Sequence, residues 1–334
     1  MAKAAGKEPV IHYRDMAFMG LWDVLTHLRT IQRNFKRVRQ AIESMQPDAV
    51  ILVDYPGFNL RMAKWAKKRG YKVFYYISPK LWAWKEGRVA LIRRYVDRMM
   101  VILPFEVDFY RRHGIEVTYV GNPVAEETAQ YRPVDRSRFL ARNRLDDKPI
   151  VALLPGSRRQ EIRYMLPLMM RLPAMFPDYR FVIAGAPSLR REVYEKNGLT
   201  EEVPLIFDQT YDLLAHAHLA VVTSGTATLE TALFRVPQVV GYRTHPWQYR
   251  IGKWLVKIKY FSLVNLILDR PAVPELLQDA FSTEEVARHL KALDAGERRK
   301  RMLADYEELA EMLQEKTASE EAAGVILQYL DSRD

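Results

Sequence analysis

The chain has 334 residues, enough for about two domains, and its hydrophobic content of 49% supports sizeable cores rather than a disordered chain. It contains no cysteine, which excludes a disulfide framework, a cysteine-based zinc site and thiol catalysis, and fits a reducing cytoplasm. The formal net charge is +10, and residues 305–334 hold nine acidic against two basic residues, so the rest of the chain is more basic still. That balance points to an anionic partner (nucleic acid, an anionic membrane surface or a phosphorylated substrate), although a solvated basic surface has the same composition.

Apolar residues recur every three or four positions from Leu21 to Ile42, with Arg29, Arg33, Lys36, Arg37 and Arg39 on the other faces, which predicts a helix. Strand Ala49–Val53 follows and ends at Asp54–Tyr–Pro–Gly–Phe58; a helix over 59–69 stops at Gly70. Strands are predicted at 72–77, 98–103 and 117–120, with helical stretches between them. Residues 123–149 hold three prolines and many charges with no strand, and read as the connector between two domains. A second alternation places strands at 150–154, 180–184, 205–207, 219–222 and 238–242; beyond Phe281 the chain reads as helical and increasingly acidic. The expected fold class is α/β, with two facing doubly wound, Rossmann-like domains over 1–135 and 136–315 and a C-terminal helix over 316–334 whose docking on the first domain the sequence leaves open. No stretch approaches the ~18 consecutive apolar residues of a membrane span, and no apolar core of a signal peptide is seen, so a cytoplasmic location is expected.

Two strand–loop–helix junctions carry most of the functional signal. They are Val151–Ala–Leu–Leu–Pro–Gly–Ser–Arg158 and Leu219–Ala–Val–Val–Thr–Ser–Gly–Thr226. In each, an apolar run with no polar face reads as a buried parallel strand that breaks at Gly and Ser before a helix. Unpaired N–H groups and a positive helix end beside small residues suit a phosphate. Two such loops in one domain suit a diphosphate-bearing ligand such as a nucleotide sugar, although Ser157 and Ser224 would serve equally as helix caps.

Asp54, at the C-terminal end of a buried strand, is placed to act as a general base; an Asx-turn or cap role is the alternative. Arg158 can clamp a diphosphate in two-pronged fashion, Gln160 is expected to complete a capping box with Ser157, and Glu161 to favour the helix dipole. Glu230, nearly two turns into its helix, can accept from ribose hydroxyls. No Asp-x-Asp or His-Glu-x-x-His occurs, and His216 and His218 diverge on a helix, so no metal is expected; Arg158, the helix ends and Arg243 would supply positive charge instead. The stretch 246–259 reads as a basic amphipathic helix, with Trp247, Ile251, Trp254, Leu255 and Ile258 on one face and Arg250, Lys253 and Lys257 on another, suited to an anionic bilayer or to core packing. Residues 78–85 put aromatics after a strand end, for an apolar or sugar ligand or for the core. No nucleic-acid-binding motif is present.

These motifs together resemble the lipid-A-disaccharide synthases, B-type glycosyltransferases of Gram-negative bacteria. The resemblance runs through Asp15–Met–Ala–Phe–Met–Gly20, Asp54–Tyr–Pro–Gly–Phe–Asn59, Tyr76–Ile–Ser–Pro–Lys–Leu–Trp–Ala–Trp84 and Leu103–Pro–Phe–Glu106. It continues through Leu154–Pro–Gly–Ser–Arg158, Ser224–Gly–Thr–Ala–Thr–Leu–Glu230, Val240–Gly–Tyr–Arg243 and Ser262–Leu–Val–Asn265. It implies inverting transfer of 2,3-diacylglucosamine from UDP to the 6-hydroxyl of 2,3-diacylglucosamine 1-phosphate, giving a β-1,6 disaccharide and UDP, with no cofactor. By the same resemblance Asp54 is the base, Arg158 the essential arginine near the diphosphate, Ser224, Gly225, Thr226 and Glu230 the UDP loop, and Asn265 an asparagine lining the cleft. It also implies peripheral association with the inner membrane, whose anionic surface suits the basic body.

The resemblance has one gap. Family members begin with a strand and a loop reading Gly-Glu-x-Ser-Gly-Asp, absent here; Met1–Ala–Lys–Ala–Ala–Gly6 resembles a stretch just after it. The expectation is that about one βαβ unit, roughly 30 or more residues, is wanting, with sheet edges left unpaired and one wall of the acceptor site missing. On that reading the 334-residue chain is nearly inactive as written, and supplying the upstream segment restores disaccharide formation. Two other readings use the same residues: a UDP-sugar 2-epimerase, and a non-catalytic, membrane-associated remnant.

Overall fold

The computed structural model describes residue 11 and residues 28–84, 86–255, 258–314 and 317–332. The 15–20 motif, the start of the predicted first helix at 21–27 and the 1–6 stretch lie outside the described residues. So do the side chains of Ile251, Lys253, Trp254, Leu255 and Lys257, and with them most of the two faces expected for the 246–259 helix.

The chain divides into two compact units. The first takes the described residues up to Leu81 with 86–101 and 111–118. It contains α1 (Leu28–Met45), β1 (Ala49–Val53), α2 (Pro56–Lys68), β2 (Lys72–Tyr76), α3 (Val89–Tyr95) and β3 (Arg98–Val101). The second takes 82–84, 102–110 and everything described from Tyr119 on. Helix α4 (Phe105–Arg112) and strand β4 (Thr118–Tyr119) straddle the division.

In the first unit the strands run β1–β2–β3–β4, in sequence order, with parallel pairing of β1 with β2 and of β2 with β3. Helix α2 starts at Pro56, earlier than the hydrophobic pattern suggests, because proline's fixed φ suits the first helical position. It buries Phe58, Met62, Trp65 and Ala66, and Phe58 meets Phe35 of α1 edge to face at 5.3 Å. The Arg39 guanidinium lies over the rings of Phe35 and Trp65, so the basic helix α1 is held partly by cation–π contact. Among the described residues β1 is an edge strand, and Ile51 and Val53 are exposed on it.

The stretch expected to be a plain connector carries two helices, α5 (Pro123–Gln130) and α6 (Arg136–Asn143). Both are short and capped: Asn122 Oδ1 accepts from the N–H groups of Val124 and Ala125, and Asp135 from that of Ser137. The prolines that read as linker punctuation are in part helix starts.

Then follow β5 (Ile150–Leu154), α7 (Arg159–Met169), β6 (Arg180–Gly185), α8 (Arg191–Glu195), β7 (Leu205–Phe207), α9 (Thr210–His216), β8 (Ala217–Thr223) and α10 (Thr226–Leu233). The chain ends with β9 (Gln238–Tyr242), α11 (Pro246–Leu255), α12 (Leu263–Leu268), β10 (Glu275–Leu277), α13 (Thr283–Asp294), α14 (Glu297–Gln314) and α15 (Ala318–Asp331). Their six-stranded parallel sheet has the order β10–β9–β8–β5–β6–β7. Val151, Leu153, Leu219 and Val221 point into one apolar layer, Ile150, Ala152, Leu154, Ala220 and Val222 into the other. This double burial is why the strands read as unbroken apolar runs. Helix α15 packs on α5, where Ser319 donates its N–H and Oγ to Glu126. No helix among the described residues is long and apolar enough to cross a membrane.

At Gly241 in β9 an added Cβ would fall 2.1 Å from the ring of buried Phe281. Gly241→Ala is therefore expected to lower stability by about 1–3 kcal/mol through overpacking, read as a reduced denaturation midpoint. Phe281→Leu in the same chain should recover part of the loss.

Candidate functional site

The order of the second sheet fixes where a ligand can sit. From β5 the chain moves through β6 to β7 on one side; it then returns to β8 and moves through β9 to β10 on the other. The reversal falls between β5 and β8, and ligands of open α/β sheets bind beyond the strand C-termini at such a point. Register places Leu154 beside Val222 and Thr223 beside Gly241. The loops after β5, β8 and β9 therefore emerge side by side, bringing Ser157, Arg158, Ser224, Gly225, Thr226 and Arg243 to one edge. Asp54 belongs to the other unit.

The loop after β5 differs from the open phosphate cradle expected. Gly156 has φ +112°, and the N–H groups of Ser157 and Arg158 both donate to Glu161 Oε2, at 2.8 and 3.2 Å. The Arg158 guanidinium donates to Glu161 Oε1 at 3.2 Å and is otherwise largely exposed. Glu161, at the third position of α7, is thus the capping residue, and the expected capping box between Ser157 and Gln160 does not form. A carboxylate reaches back to the loop with two oxygens and a charge suited to the helix end, which an amide lacks. Gln160 instead turns toward the loop after β9, donating to Thr244 Oγ1 at 3.2 Å and to Gln248.

The loop after β8 keeps its donors. Ser224 donates its N–H to the Gly241 carbonyl at 2.9 Å and its hydroxyl to the Phe261 carbonyl at 2.7 Å. Gly225 is extended, and Thr226 begins α10. Among the described residues the N–H groups of Gly225, Thr226 and Ala227 meet no acceptor, which leaves three donors at a positive helix end. Of the two loops, this one is the better anion cradle.

Glu230 stands on α10, half-buried, and its Oε1 accepts from the Tyr211 hydroxyl at 3.2 Å. Burial pushes its carboxyl above the ordinary range, Tyr211 opposes that, and neighbouring Glu127 adds to it. Arg243 follows β9 and lies 3.9 Å from Asp279.

Asn265 is buried, and its amide is committed inward. Its Nδ2 donates to the Val273 carbonyl and to Glu275 Oε1, both at 2.9 Å, while its Oδ1 accepts from the Val273 N–H. Glu275 also accepts from the N–H groups of Phe261 and Ser262 and from the Ser262 hydroxyl. That web holds the 261–262 backbone, whose Phe261 carbonyl in turn holds Ser224. Glu275 escapes sequence reading because it lies on a three-residue edge strand with no motif around it.

In the first unit, Asp54 and Tyr55 both have φ +45°, uncommon for residues other than glycine. The turn is tied down on the backbone. The Asp54 carbonyl accepts from the Tyr75 hydroxyl at 2.6 Å and from Asn59 Nδ2 at 2.7 Å, and its N–H donates to the Tyr76 carbonyl. The Asp54 residue is exposed, and no described residue donates to its carboxylate. Of the aromatics after β2, Trp82 is locked by its N–H to buried Glu106 at 3.1 Å and by the ring of Phe105, whereas Trp84 is exposed.

Two outcomes follow from these loops. Glu275→Ala should unfold the 261–262 support and lower the denaturation midpoint, by about 1–3 kcal/mol, because four donors lose their acceptor. Gly156→Ala is expected to cost about as much, since its Cβ would fall 2.5 Å from Glu161 Oε2 at a left-handed φ; urea titration reads both.

Over residues 1–328 the chain matches the family model described as lipid-A-disaccharide synthetase. It is 38% identical to the lipid-A-disaccharide synthase of Geobacter sulfurreducens, covering 98% of this chain and 87% of the relative. With the Myxococcus xanthus protein of the same name identity is 40%, over 98% and 87%. Among solved structures, it is similar to a UDP-N-acetylglucosamine 2-epimerase, described as putative, from Listeria monocytogenes, with TM-score 0.56, 14% identity and coverage of 82% of this chain and 74% of that one. The Methanocaldococcus jannaschii UDP-GlcNAc 2-epimerase, in complex with UDP-GlcNAc and UDP, gives TM-score 0.55 at 13% identity over 86% and 81%. The structural likeness is one of fold; two parallel sheets and these neighbours make the architecture that of two Rossmann-like domains. The sequence likeness is one of kind: the chain belongs to the lipid-A-disaccharide synthetase family, and so to the hexosyltransferases of lipid A biosynthesis.

Proposed function

We propose that this chain transfers 2,3-diacylglucosamine from UDP to the 6-hydroxyl of 2,3-diacylglucosamine 1-phosphate. The observation that carries the reading is the reversal between β5 and β8, which gathers Arg158, the open donors after Ser224 and Arg243 at one strand edge in a chain of this family. In the proposed step the Asp54 carboxylate takes the proton of the 6-hydroxyl, the oxygen attacks the anomeric carbon, and the bond from that carbon to UDP breaks on the opposite face. The departing diphosphate carries the electron pair, stabilised by the N–H groups of Gly225, Thr226 and Ala227 and by Arg158. Glu161 is proposed to hold the Arg158 side chain in position, and Glu230 to accept from the ribose. Ser157, with its N–H turned to Glu161, is proposed to shape the loop, and Asn265 to act through Glu275.

The membrane partner is proposed on composition and on α11, where Trp247 and Arg250 are both exposed. An epimerase reading rests on fold likeness alone.

Arg158→Ala is expected to lower turnover about 100- to 1,000-fold while thermal unfolding stays unchanged. Asp54→Asn should reduce turnover comparably with UDP affinity kept, as measured by calorimetry, because the base meets the acceptor and not the nucleotide. Formation of a 2-epimer from UDP-N-acetylglucosamine alone, without disaccharide synthesis from the acylated pair, would decide for the other reading.

A further inference from the structure

We infer that Tyr211 is a positioning residue that sets how the site distinguishes ribose from deoxyribose. The inference rests on the proposed role of Glu230 as the acceptor for ribose hydroxyls.

Tyr211 comes from α9, outside both loops. Its ring is wedged between Tyr131 and Phe234, with centroids 5.1 Å from each, and Tyr131 and Phe234 are themselves 6.2 Å apart. Three rings packed this way leave the phenol little rotational freedom, so its hydroxyl is presented at a fixed point. That point is 3.2 Å from Glu230 Oε1. A tyrosine hydroxyl has one proton to donate. Two carboxylates, Glu230 from α10 and Glu127 from α5, face it. Burial together with these two charges holds the phenol protonated, so it can only act as a donor toward them.

The consequence for Glu230 is geometric. With Oε1 engaged, the carboxylate is restrained and Oε2 is the atom left for a ligand hydroxyl; among the described residues no donor reaches it. A glutamate on a helix otherwise loses rotamer freedom when it binds a hydroxyl, which weakens the contact. Tyr211 removes that freedom beforehand, so a 2′- or 3′-hydroxyl meets a pre-set acceptor and a deoxyribose leaves it unmatched.

The test is calorimetric titration of the full chain with UDP, 2′-deoxy-UDP and 3′-deoxy-UDP, for the wild type and for Tyr211→Phe, which keeps the ring. The wild type should bind UDP several-fold more tightly than at least one deoxy analogue. In Tyr211→Phe the UDP Kd should rise about five- to tenfold, roughly one hydrogen bond, while that analogue's Kd moves little and the preference collapses toward one. In a Glu230→Ala background, Tyr211→Phe should then have no further effect on UDP. Equal weakening of UDP and both deoxy analogues would mean that the tyrosine only supports the fold, and would overturn the inference. So would a wild type that binds all three alike. If the wild type bound no UDP at all, the functional reading itself would fall, and the inference with it.

Discussion

Covering both faces of a parallel sheet is the constraint from which the second unit's site arises. β5 throughout and β8 from Leu219 to Val222 are apolar and buried, so each needs a helical layer above and below it. Right-handed crossovers satisfy this if the chain winds outward from β5 on one side, returns, and winds outward again from β8. The return leaves two neighbouring strands whose following helices depart to opposite sides. Between them the strand ends have no helix over them, and the loops there face whatever fills the gap. The position of the candidate site is thus a result of how the core is covered, and the loop residues only decide what it could hold.

The two loops at that gap look alike in sequence and behave differently. After β5 the chain supplies its own anion: Glu161 occupies the N–H groups that a phosphate would seek, and pairs with Arg158. After β8 no acidic side chain among the described residues reaches back, and the Ser224 hydroxyl donates to the Phe261 carbonyl. One loop is therefore self-satisfied, with the Arg158 guanidinium exposed beside it. The other is an open row of donors. A diphosphate bridging them would find hydrogen bonds on one side and a positive side chain on the other.

Much of this was legible. The apolar runs at 150–154 and 238–242 match β5 and β9, and both junctions turn at their Gly-Ser steps. What escaped was chiefly polar and non-local. The preference for Glu161 over Gln160 depends on which side chain can reach two N–H groups at once. The Asn265–Glu275 web links residues whose sequence context is unremarkable, and a buried asparagine cannot be told from a ligand-facing one by its neighbours in the chain. Helices α5 and α6 were hidden because eight-residue helices give too few turns for a clear period, and their caps coincide with the prolines and charges of a linker. The aromatic wedge around Tyr211 joins three residues from separate elements.

The tie between α5 and the last two helices bears on how the molecule is made. Just before α5, Tyr119 of β4 donates to the Met312 carbonyl at 3.3 Å, and on α5 Glu126 takes both donors of Ser319; each pair is separated by 193 residues. During synthesis α5 can pack on α10 once β8 has been made, but its contacts with α14 and α15 must wait through the assembly of the whole six-stranded sheet. A nascent chain halted before α14 would carry a complete six-stranded sheet with the side of α5 that meets α14 and α15 still open.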